Sequence, residues 1–268
     1  MDGVLDLPAS NLANAASERD LDAFEREQRF LLTRAQTVAF LRAVSAHAVP
    51  ELHDRARPLS FTRTTYLYSV DLAYLRSCAG RVARRLRLRE YAVASNLAEA
   101  PLLTGLCFLE LKQSAGTVRS KVRLAAPRRA LERLVAGSFD TDTDLDDALD
   151  GDGAGRAALA TLRAEVVSRR PVPCLTTWYR RSCLSGESGR VRITLDQGLS
   201  FCEPQRLGEA GDDATPSAII ARGPARIVEI KLQGEAPAWL ARATASLTPA
   251  PSFSKFQMGM AALRRRAA

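Results

Sequence analysis

The stretch RRLRLREY, residues 84–91, decides how the rest of the chain is interpreted. In it, Arg85, Arg87 and Arg89 alternate with leucines, which is the period-two pattern of a β-strand with one apolar face and one polar face. Three guanidinium groups therefore stand in a row on the polar face. Two cations about 6 Å apart repel each other by roughly 3 kcal/mol at an effective dielectric constant near 20, so the row is unfavourable unless an anion lies among its members.

Six further stretches show the same alternation, at 24–32, 108–113, 117–124, 176–183, 190–196 and 226–232. For a single strand, a solvated polar face would be the simpler interpretation. The whole set favours another one, because these faces are rich in arginine and have few neutral polar neighbours. In a closed barrel, the apolar faces turn outward beneath amphipathic helices and the charged faces line a central tunnel. We therefore predict a barrel with a charged interior.

The predicted tunnel lining mixes basic with acidic side chains. The basic ones are Arg29, Arg85, Arg87, Arg89, Lys112, Lys121, Arg123, Arg181, Arg192 and Lys231. The acidic ones are Glu25, Glu27, Glu110, Asp196 and Glu229. Arginine forks match phosphate oxygens and lysines add point charge, whereas carboxylates in the same place suit a divalent cation such as Mg²⁺ or Mn²⁺. The lining thus predicts a metal–polyphosphate site.

Helix signals lie between the strands. Helices are predicted from Thr33 to about residue 47, after Asp71, between Pro127 and Gly137, over 155–169, and after Pro237 and Ser252. Strand signals flank both polar insertions, which lie near 138–155 and 206–217. We therefore predict a flexible lead-in at 1–20 and a single domain at 21–268, with an acidic surface insertion near 138–155.

The charge of the chain is unevenly distributed. The net charge is +8, yet residues 138–155 contain seven aspartates and no basic residue. The remainder is therefore strongly basic and favours a polyanionic partner: nucleic acid, a phosphate chain or an anionic membrane. The aspartates do not form an EF-hand, because Leu145 and Gly151 stand where that loop requires glycine and glutamate.

Composition narrows the class of protein further. The five cysteines form no CxxC pair, which favours a reducing, cytoplasmic location over a disulfide framework or a zinc site. No apolar run is long enough for a transmembrane segment, and the first residues do not form a secretory signal. The two histidines leave little material for a catalytic triad or an HExxH metal site.

The ExExR pattern at 25–29 resembles the ExExK signature of the triphosphate tunnel metalloenzymes, the CYTH superfamily. Within that superfamily, the chain is most similar to the vacuolar transporter chaperone (VTC) domain, the polyphosphate polymerase domain. The matching blocks are FEREQRF (24–30), TTYLYSVDLAYL (64–75), RLRLREY (85–91), FLELKQ (108–113), SKVR (120–123), WYRR (178–181), VRITLD (191–196), VEIKL (228–232) and FSKF (253–256). Each block alone is weak, but their order covers nearly the whole chain.

The resemblance implies an α+β fold with an eight-stranded antiparallel β-barrel tunnel and packed helices. It also implies transfer of the γ-phosphate of ATP onto inorganic polyphosphate, with Mn²⁺ or Mg²⁺ as the cofactor. The motifs place phosphate contacts at Arg29, Arg87, Arg89, Lys112, Lys121, Tyr179, Arg181, Lys231, Ser254 and Lys255, and a metal-binding carboxylate at Glu229.

Orientation and charge add further candidates to this set. They add Arg123 and Arg192 as substrate-binding residues, and Glu27 and Glu110 as metal ligands. We assign catalytic roles to Arg87, Arg89, Lys112, Arg181 and Lys231.

Two positions depart from the pattern of the family. Arg29 stands where the family often has lysine, which keeps the charge, and Ser252 stands where it has a basic residue, which weakens the case for one phosphate contact. For Tyr179, cross-strand packing is an alternative to phosphate binding.

Other functions remain open at this stage. The same cavity could hydrolyse tripolyphosphate or a nucleoside triphosphate, or could bind polyphosphate without catalysis. Nucleic acid is a weaker candidate, because aromatic residues make up 6% of the chain and are not interleaved with the basic rows. The expected ligands are ATP and inorganic polyphosphate, with a membrane protein as a possible partner.

Overall fold

The structure is a computed structural model that describes residues 24, 26–69, 82–115, 118–138, 145, 149, 152–204, 207, 218–250 and 254–267. Its strands are β1 (Arg26–Leu31), β2 (Ala48–Glu51), β3 (Leu59–Tyr68), β4 (Val82–Ala94), β5 (Leu102–Ala115), β6 (Val118–Ala126), β7 (Val172–Gly186), β8 (Val191–Cys202), β9 (Ile219–Arg222) and β10 (Arg226–Leu232). Its helices are α1 (Arg34–Val44), α2 (Arg128–Ala136), α3 (Gly153–Arg169), α4 (Ala238–Thr244) and α5 (Lys255–Ala267).

Local signals account for the helix ends. The backbone N–H of Gln36 donates to Thr33 Oγ1, and the backbone N–H of Thr33 donates to Gln36 Oε1, so the predicted capping box opens α1. Gly137 ends α2 in the left-handed conformation at φ 82°, which a residue without a Cβ adopts at little cost. The predicted helix after Asp71 lies outside the described residues, and so does most of the acidic segment at 138–155.

All strand pairs in the sheet are antiparallel. The strand order is β1-β10-β8-β7-β3-β4-β5-β6, while β2 pairs with β7 and β9 pairs with β8. The α+β class is therefore confirmed, and eight strands form the main path. Within the described residues no ladder joins β1 to β6, so the expected closed barrel is not shown. Alternating residues predict which side chains share a face, but they do not predict whether the first strand pairs with the last.

The sheet is nevertheless strongly curled. The pKa of Lys112 on β5 is lowered to about 8, mainly by burial and secondly by the charge of Arg87. The carboxylates of Glu27 on β1 and Glu229 on β10 act on it in the opposite direction, so they lie within electrostatic reach. In a flat sheet, β10 and β5 would be separated by roughly 24 Å, because they are five steps apart in the strand order. The two ends of the sheet therefore face each other.

The apolar faces of the strands pack against helices, as predicted. Leu86 and Leu88 are buried with Leu109 on β5, Leu131 on α2 and Leu162 on α3. Removal of this apolar surface from water is the main favourable contribution to folding.

A second cluster packs β8 and β10 against α1 and α4. Its members include Ile193, Val228, Phe40 and Trp239. The sequence prediction that helices cover the outside of the sheet is thus confirmed for the described residues. The division into a lead-in at 1–20 and a single domain stays a prediction.

Two further expectations concern disulfides and membranes. The four cysteines that the structure describes, Cys107, Cys174, Cys183 and Cys202, are free thiols. Among the described helices, none combines the length and the hydropathy that crossing a bilayer requires.

Candidate functional site

Strand register places the predicted lining side chains on one face, because residues directly opposite each other on antiparallel strands point to the same side. Glu110 on β5 lies between Arg87 on β4 and Arg123 on β6. Arg181 on β7 lies opposite Asp196 on β8.

The same register holds along β1, β10 and β8. Glu27 and Arg192 lie on either side of Lys231, and Arg29 lies opposite Glu229. We call this surface the charged face. Its described strand members are Glu27, Arg29, Arg85, Arg87, Arg89, Glu110, Lys112, Lys121, Arg123, Arg181, Arg192, Asp196, Glu229 and Lys231.

Glu110 is the counter-ion of three arginines on the charged face. Arg87 Nε donates to Glu110 Oε2 at 2.7 Å, Arg123 Nε is 3.3 Å from Glu110 Oε1, and Arg89 Nε is 3.8 Å from Oε2. Burial alone would raise the pKa of Glu110, but Arg87, Arg89 and Arg123 outweigh it and hold the pKa well below its ordinary value. The carboxylate therefore stays charged and fixes one edge of these guanidinium groups.

Asp196 organises a second group of cations. Arg181 binds it through two hydrogen bonds, from Nε to Oδ1 at 2.7 Å and from Nη2 to Oδ2 at 2.8 Å. Lys255 Nζ, from the first turn of α5, lies 2.8 Å from Asp196 Oδ2. Burial would raise the pKa of Asp196, but Arg181 and Lys255 hold it well below its ordinary value. A lysine from a helix thus joins the charged face.

The ring of Tyr179 lies beneath these two cations. Arg181 Cζ is 5.3 Å and Lys255 Nζ is 4.8 Å from the ring centroid, which is cation–π geometry. Burial would raise the pKa of the Tyr179 hydroxyl, but Arg181, Arg89 and Lys255 outweigh it and lower the pKa. The same ring also packs in an apolar cluster, so both roles that the sequence allowed are consistent with its position.

Glu27 and Glu229 form a third group around Arg29. Arg29 Nε donates to Glu229 Oε2 at 3.1 Å, and Arg29 Nη2 donates to Glu27 Oε1. Lys231 Nζ lies 3.8 Å from Glu229 Oε1. Burial would raise the pKa of Glu229, but Arg29 and Lys231 lower it to about 2.

Glu27 and Glu229 lie on adjacent strands and share Arg29, so they bring two carboxylates close together, which Glu110 does not. Mg²⁺ is commonly bound by one or two carboxylates together with phosphate oxygens and waters, and Glu27 and Glu229 both reach the guanidinium of Arg29. In the part of the chain that is described, no group of three or more His, Cys, Asp or Glu residues could hold a metal by itself. A cation here would therefore depend on ligand oxygens. Glu110 lies among arginines instead, and its metal-binding role stays a prediction.

Three further predicted residues, Lys121, Arg192 and Ser254, lie on or beside the charged face. Lys121 is directly opposite Lys112, and Arg192 Nε lies 3.6 Å from Glu51 Oε2 on β2. Ser254 precedes α5, where its Oγ accepts a long hydrogen bond of 3.5 Å from the backbone N–H of Gln257.

Two sequence expectations cannot be compared with the structure. Glu25, which was placed in the predicted lining, and Ser252, the departure from the family pattern, both lie outside the described residues.

The sequence did not predict two sets of ion pairs, one at Asp196 and one at Glu90. It placed Asp196 in the lining but did not connect it with Lys255, since the two residues lie 59 positions apart and meet only through the docking of α5. It also missed an ion-pair network on the opposite, helix-covered face. There, Arg63 donates to Glu90 at 2.8 and 3.0 Å, and Arg128 of α2 reaches the same carboxylate at 2.6 Å.

One end of the charged face is apolar. Beyond Tyr179, the side chains of Tyr66, Leu175 and Phe201 pack against Phe256 of α5. The centroids of the Tyr66 and Phe256 rings are 5.1 Å apart. On β3, β7 and β8 the charged groups therefore give way to a packed apolar wall.

Comparison with known proteins agrees with the block order seen in the sequence. The family model of the VTC domain matches residues 25–264. No curated protein matches the sequence. Among solved structures, a protein from Vibrio parahaemolyticus that is provisionally named an adenylate cyclase aligns with 88% of this chain and 97% of its own, at 12% identity and a TM-score of 0.42.

Proposed function

The chain belongs to the VTC domain family, and from that premise we propose that it transfers the γ-phosphate of ATP onto inorganic polyphosphate at the charged face. The observation that carries this proposal is the convergence of cations from seven strands and α5 on one curled surface. Basic side chains outnumber acidic ones there, and the two most buried acids, Glu110 and Asp196, are each shared between several cations. The remaining positive charge favours a ligand with many negative charges.

Phosphoryl transfer requires positioning and charge neutralisation rather than covalent catalysis by the protein. A guanidinium group has five N–H donors. Glu110 engages Nε of Arg87, and Asp196 engages Nε and Nη2 of Arg181. The N–H groups that these carboxylates leave free are then available to phosphate oxygens.

The reaction itself forms one bond and breaks one. A terminal oxygen of the acceptor chain attacks the γ-phosphorus of ATP, the bond between that phosphorus and the β-phosphate oxygen breaks, and ADP leaves. Arg87, Arg89 and Arg181 balance the charge on the transferred group. Glu27 and Glu229 would hold Mn²⁺ or Mg²⁺, which supplies further neutralisation of the phosphate oxygens.

A second candidate is hydrolysis of tripolyphosphate or a nucleoside triphosphate. The apolar wall formed by Tyr66, Leu175, Phe201 and Phe256 favours it, because this boundary limits the length of anion that fits along β3, β7 and β8. In this reaction, water replaces the acceptor chain as the attacking group.

Incubation with ATP and Mn²⁺, followed by gel electrophoresis of the products, separates the candidates. A polymerase gives long phosphate chains and ADP, and a triphosphatase gives free phosphate without chains. Binding without turnover would identify a non-catalytic polyphosphate-binding protein. Glu229→Ala should abolish either activity, whereas the matched variant Glu203→Ala should retain it, because Glu203 lies in an exposed ion pair with Arg266. Full activity of Glu229→Ala, or its persistence after chelation of the metal, would contradict the proposed site.

A further inference from the structure

Three threonine hydroxyls on the charged face, those of Thr62, Thr177 and Thr194, have no hydrogen-bond partner among the described residues, and the first two threonines are fully buried. Thr62 on β3 and Thr177 on β7 are both 0% exposed. A buried hydroxyl that makes no hydrogen bond is unfavourable, and such groups in native proteins commonly mark a site for something else.

Both fully buried threonines belong to a compact group of hydroxyls. Thr62 lies directly opposite Tyr179, and Thr177 lies directly opposite Thr64, so all four side chains point to the same side of β3 and β7. We call Thr62, Thr64, Thr177 and Tyr179 the hydroxyl patch.

Cations border the hydroxyl patch. Arg89 lies opposite Thr64 on β4 and donates through Nε to Thr64 Oγ1 at 3.4 Å. Arg181 and Lys255 lie over the ring of Tyr179. An anion at the patch would therefore meet hydroxyl donors and positive charge together.

On β3 and β7 the charged face does not continue past the patch, although on β4 Arg87 lies opposite Tyr66. The next residues on the same side of β3 and β7 are Tyr66 and Leu175, which pack with Phe201 and with Phe256 of α5. A linear anion that lies along β3 and β7 therefore ends before this wall.

We propose that the hydroxyl patch binds the terminal phosphate group of a linear polyphosphate or nucleotide. This assignment rests on the proposed function, because it concerns the terminal group of the same ligand that binds to the charged face. A terminal phosphate group has a second pKa of about 6, so a fraction of it still carries a proton near neutral pH, whereas internal phosphates have no proton to donate. Hydroxyls both donate and accept, so they pair with a P–OH group as well as with an ionised oxygen, which cations alone do not.

The test measures binding and stability together. Inorganic tripolyphosphate is titrated into the full chain by calorimetry, and cyclic trimetaphosphate, which has no end group, serves as the second probe. In Thr62→Val and Thr177→Val, the side chains keep their shape and lose the hydroxyl. We expect about tenfold weaker binding of tripolyphosphate, equivalent to about 1.4 kcal/mol, unchanged binding of trimetaphosphate, and a melting temperature equal to or above that of the wild type.

Thr176→Val is the matched control. Thr176 is buried on the opposite face of β7, where its Oγ1 is hydrogen-bonded to Thr65 Oγ1 at 3.2 Å. This variant should melt at a lower temperature and bind tripolyphosphate as the wild type does. Thr62→Ser, which keeps the hydroxyl, should bind within about twofold of the wild type.

Each result decides the matter. Wild-type affinity in the two valine variants would overturn the hydroxyl patch as a phosphate site and leave the proposed function intact. Equal losses for tripolyphosphate and trimetaphosphate would overturn the preference for an end group. If the wild type binds neither probe, the proposed function fails, and this inference fails with it.

Discussion

Arg87 Nε on β4 donates a 2.7 Å hydrogen bond to Glu110 Oε2 on β5, where the two residues lie directly opposite each other. The carboxylate of Glu110 is 1% exposed and also lies close to Arg89 and Arg123. The charge of the arginine row at residues 84–91 is therefore partly neutralised by a carboxylate of the same sheet. A ligand meets guanidinium groups that already have a fixed orientation.

Glu110→Gln should separate two roles for this residue. Removal of one partner of a buried ion pair leaves uncompensated charge, so we expect the free energy of unfolding in urea to fall by about 3–5 kcal/mol. Turnover should fall at least tenfold because the arginines lose their orientation, while the Mn²⁺ concentration for half-maximal activity stays unchanged. A raised Mn²⁺ requirement with full stability would instead identify Glu110 as a metal ligand.

Glu90→Gln provides the matched comparison. Glu90 is buried in the same sheet but faces the helices, where Arg63 and Arg128 bind it. In Glu90→Gln, the free energy of unfolding should fall by a similar amount, while the turnover per folded molecule stays unchanged. Equal loss of turnover in the two variants would mean that stability, rather than the orientation of the charged face, explains the effect of Glu110→Gln.

Stability should depend on pH through Asp196. Arg181 and Lys255 hold its folded-state pKa well below the ordinary value of 3.8, despite its burial. A carboxylate with a depressed folded-state pKa stabilises the protein fully above its unfolded pKa, and this contribution is lost as the pH falls toward the folded value. Between pH 5 and pH 3, the urea midpoint of the wild type should therefore fall more steeply than that of Asp196→Asn. Parallel curves for the two proteins would contradict the ion-pair role of Asp196.

Much of the charged face could be predicted from the sequence, because alternation alone assigns side chains to a face. Arg87, Glu110 and Arg123 were placed on one surface in this way, and their register confirms it. Alternation does not give strand order, so the lack of a ladder between β1 and β6 among the described residues could not be anticipated. It also gives no partners, and Thr62 and Thr177 were missed because a buried threonine on a strand usually indicates only packing.

Alternation also fails where a strand contains an extra residue. Asp196 lies opposite Arg181 and Phe201 lies opposite Thr177, so both face the same side although they are an odd number of positions apart. The register shifts between them, and Gly198 adopts φ 66°. Because of this β-bulge, the side of β8 that carries Asp196 before the bulge carries Phe201 after it. A strict period of two cannot predict this change.

Gly198→Ala should destabilise the protein through its backbone alone. A Cβ at Gly198 would meet no atom within 4 Å, so no steric clash contributes. A left-handed conformation costs a residue with a side chain about 1–2 kcal/mol, and we expect the free energy of unfolding to fall by that amount. The control is Gly153→Ala at the start of α3, where a Cβ is also unobstructed and alanine favours the helix. A neutral result at Gly198 would mean that the bulge relaxes when it is substituted.

Lys255 should contribute to anion binding although it belongs to a helix. Its Nζ reaches Asp196 and the ring of Tyr179 on the charged face, whereas Arg265 in the last turn of the same helix is exposed. Each cation that neutralises a phosphate releases counterions, as on nucleic acid backbones, so the affinity falls with salt in proportion to the number of such contacts. Lys255→Met should reduce the salt slope of tripolyphosphate binding by about one unit, while Arg265→Met leaves it unchanged. Equal slopes for Lys255→Met and the wild type would show that Lys255 pairs only with Asp196 and does not contact the ligand. In that case α5 would have a structural role beside the charged face.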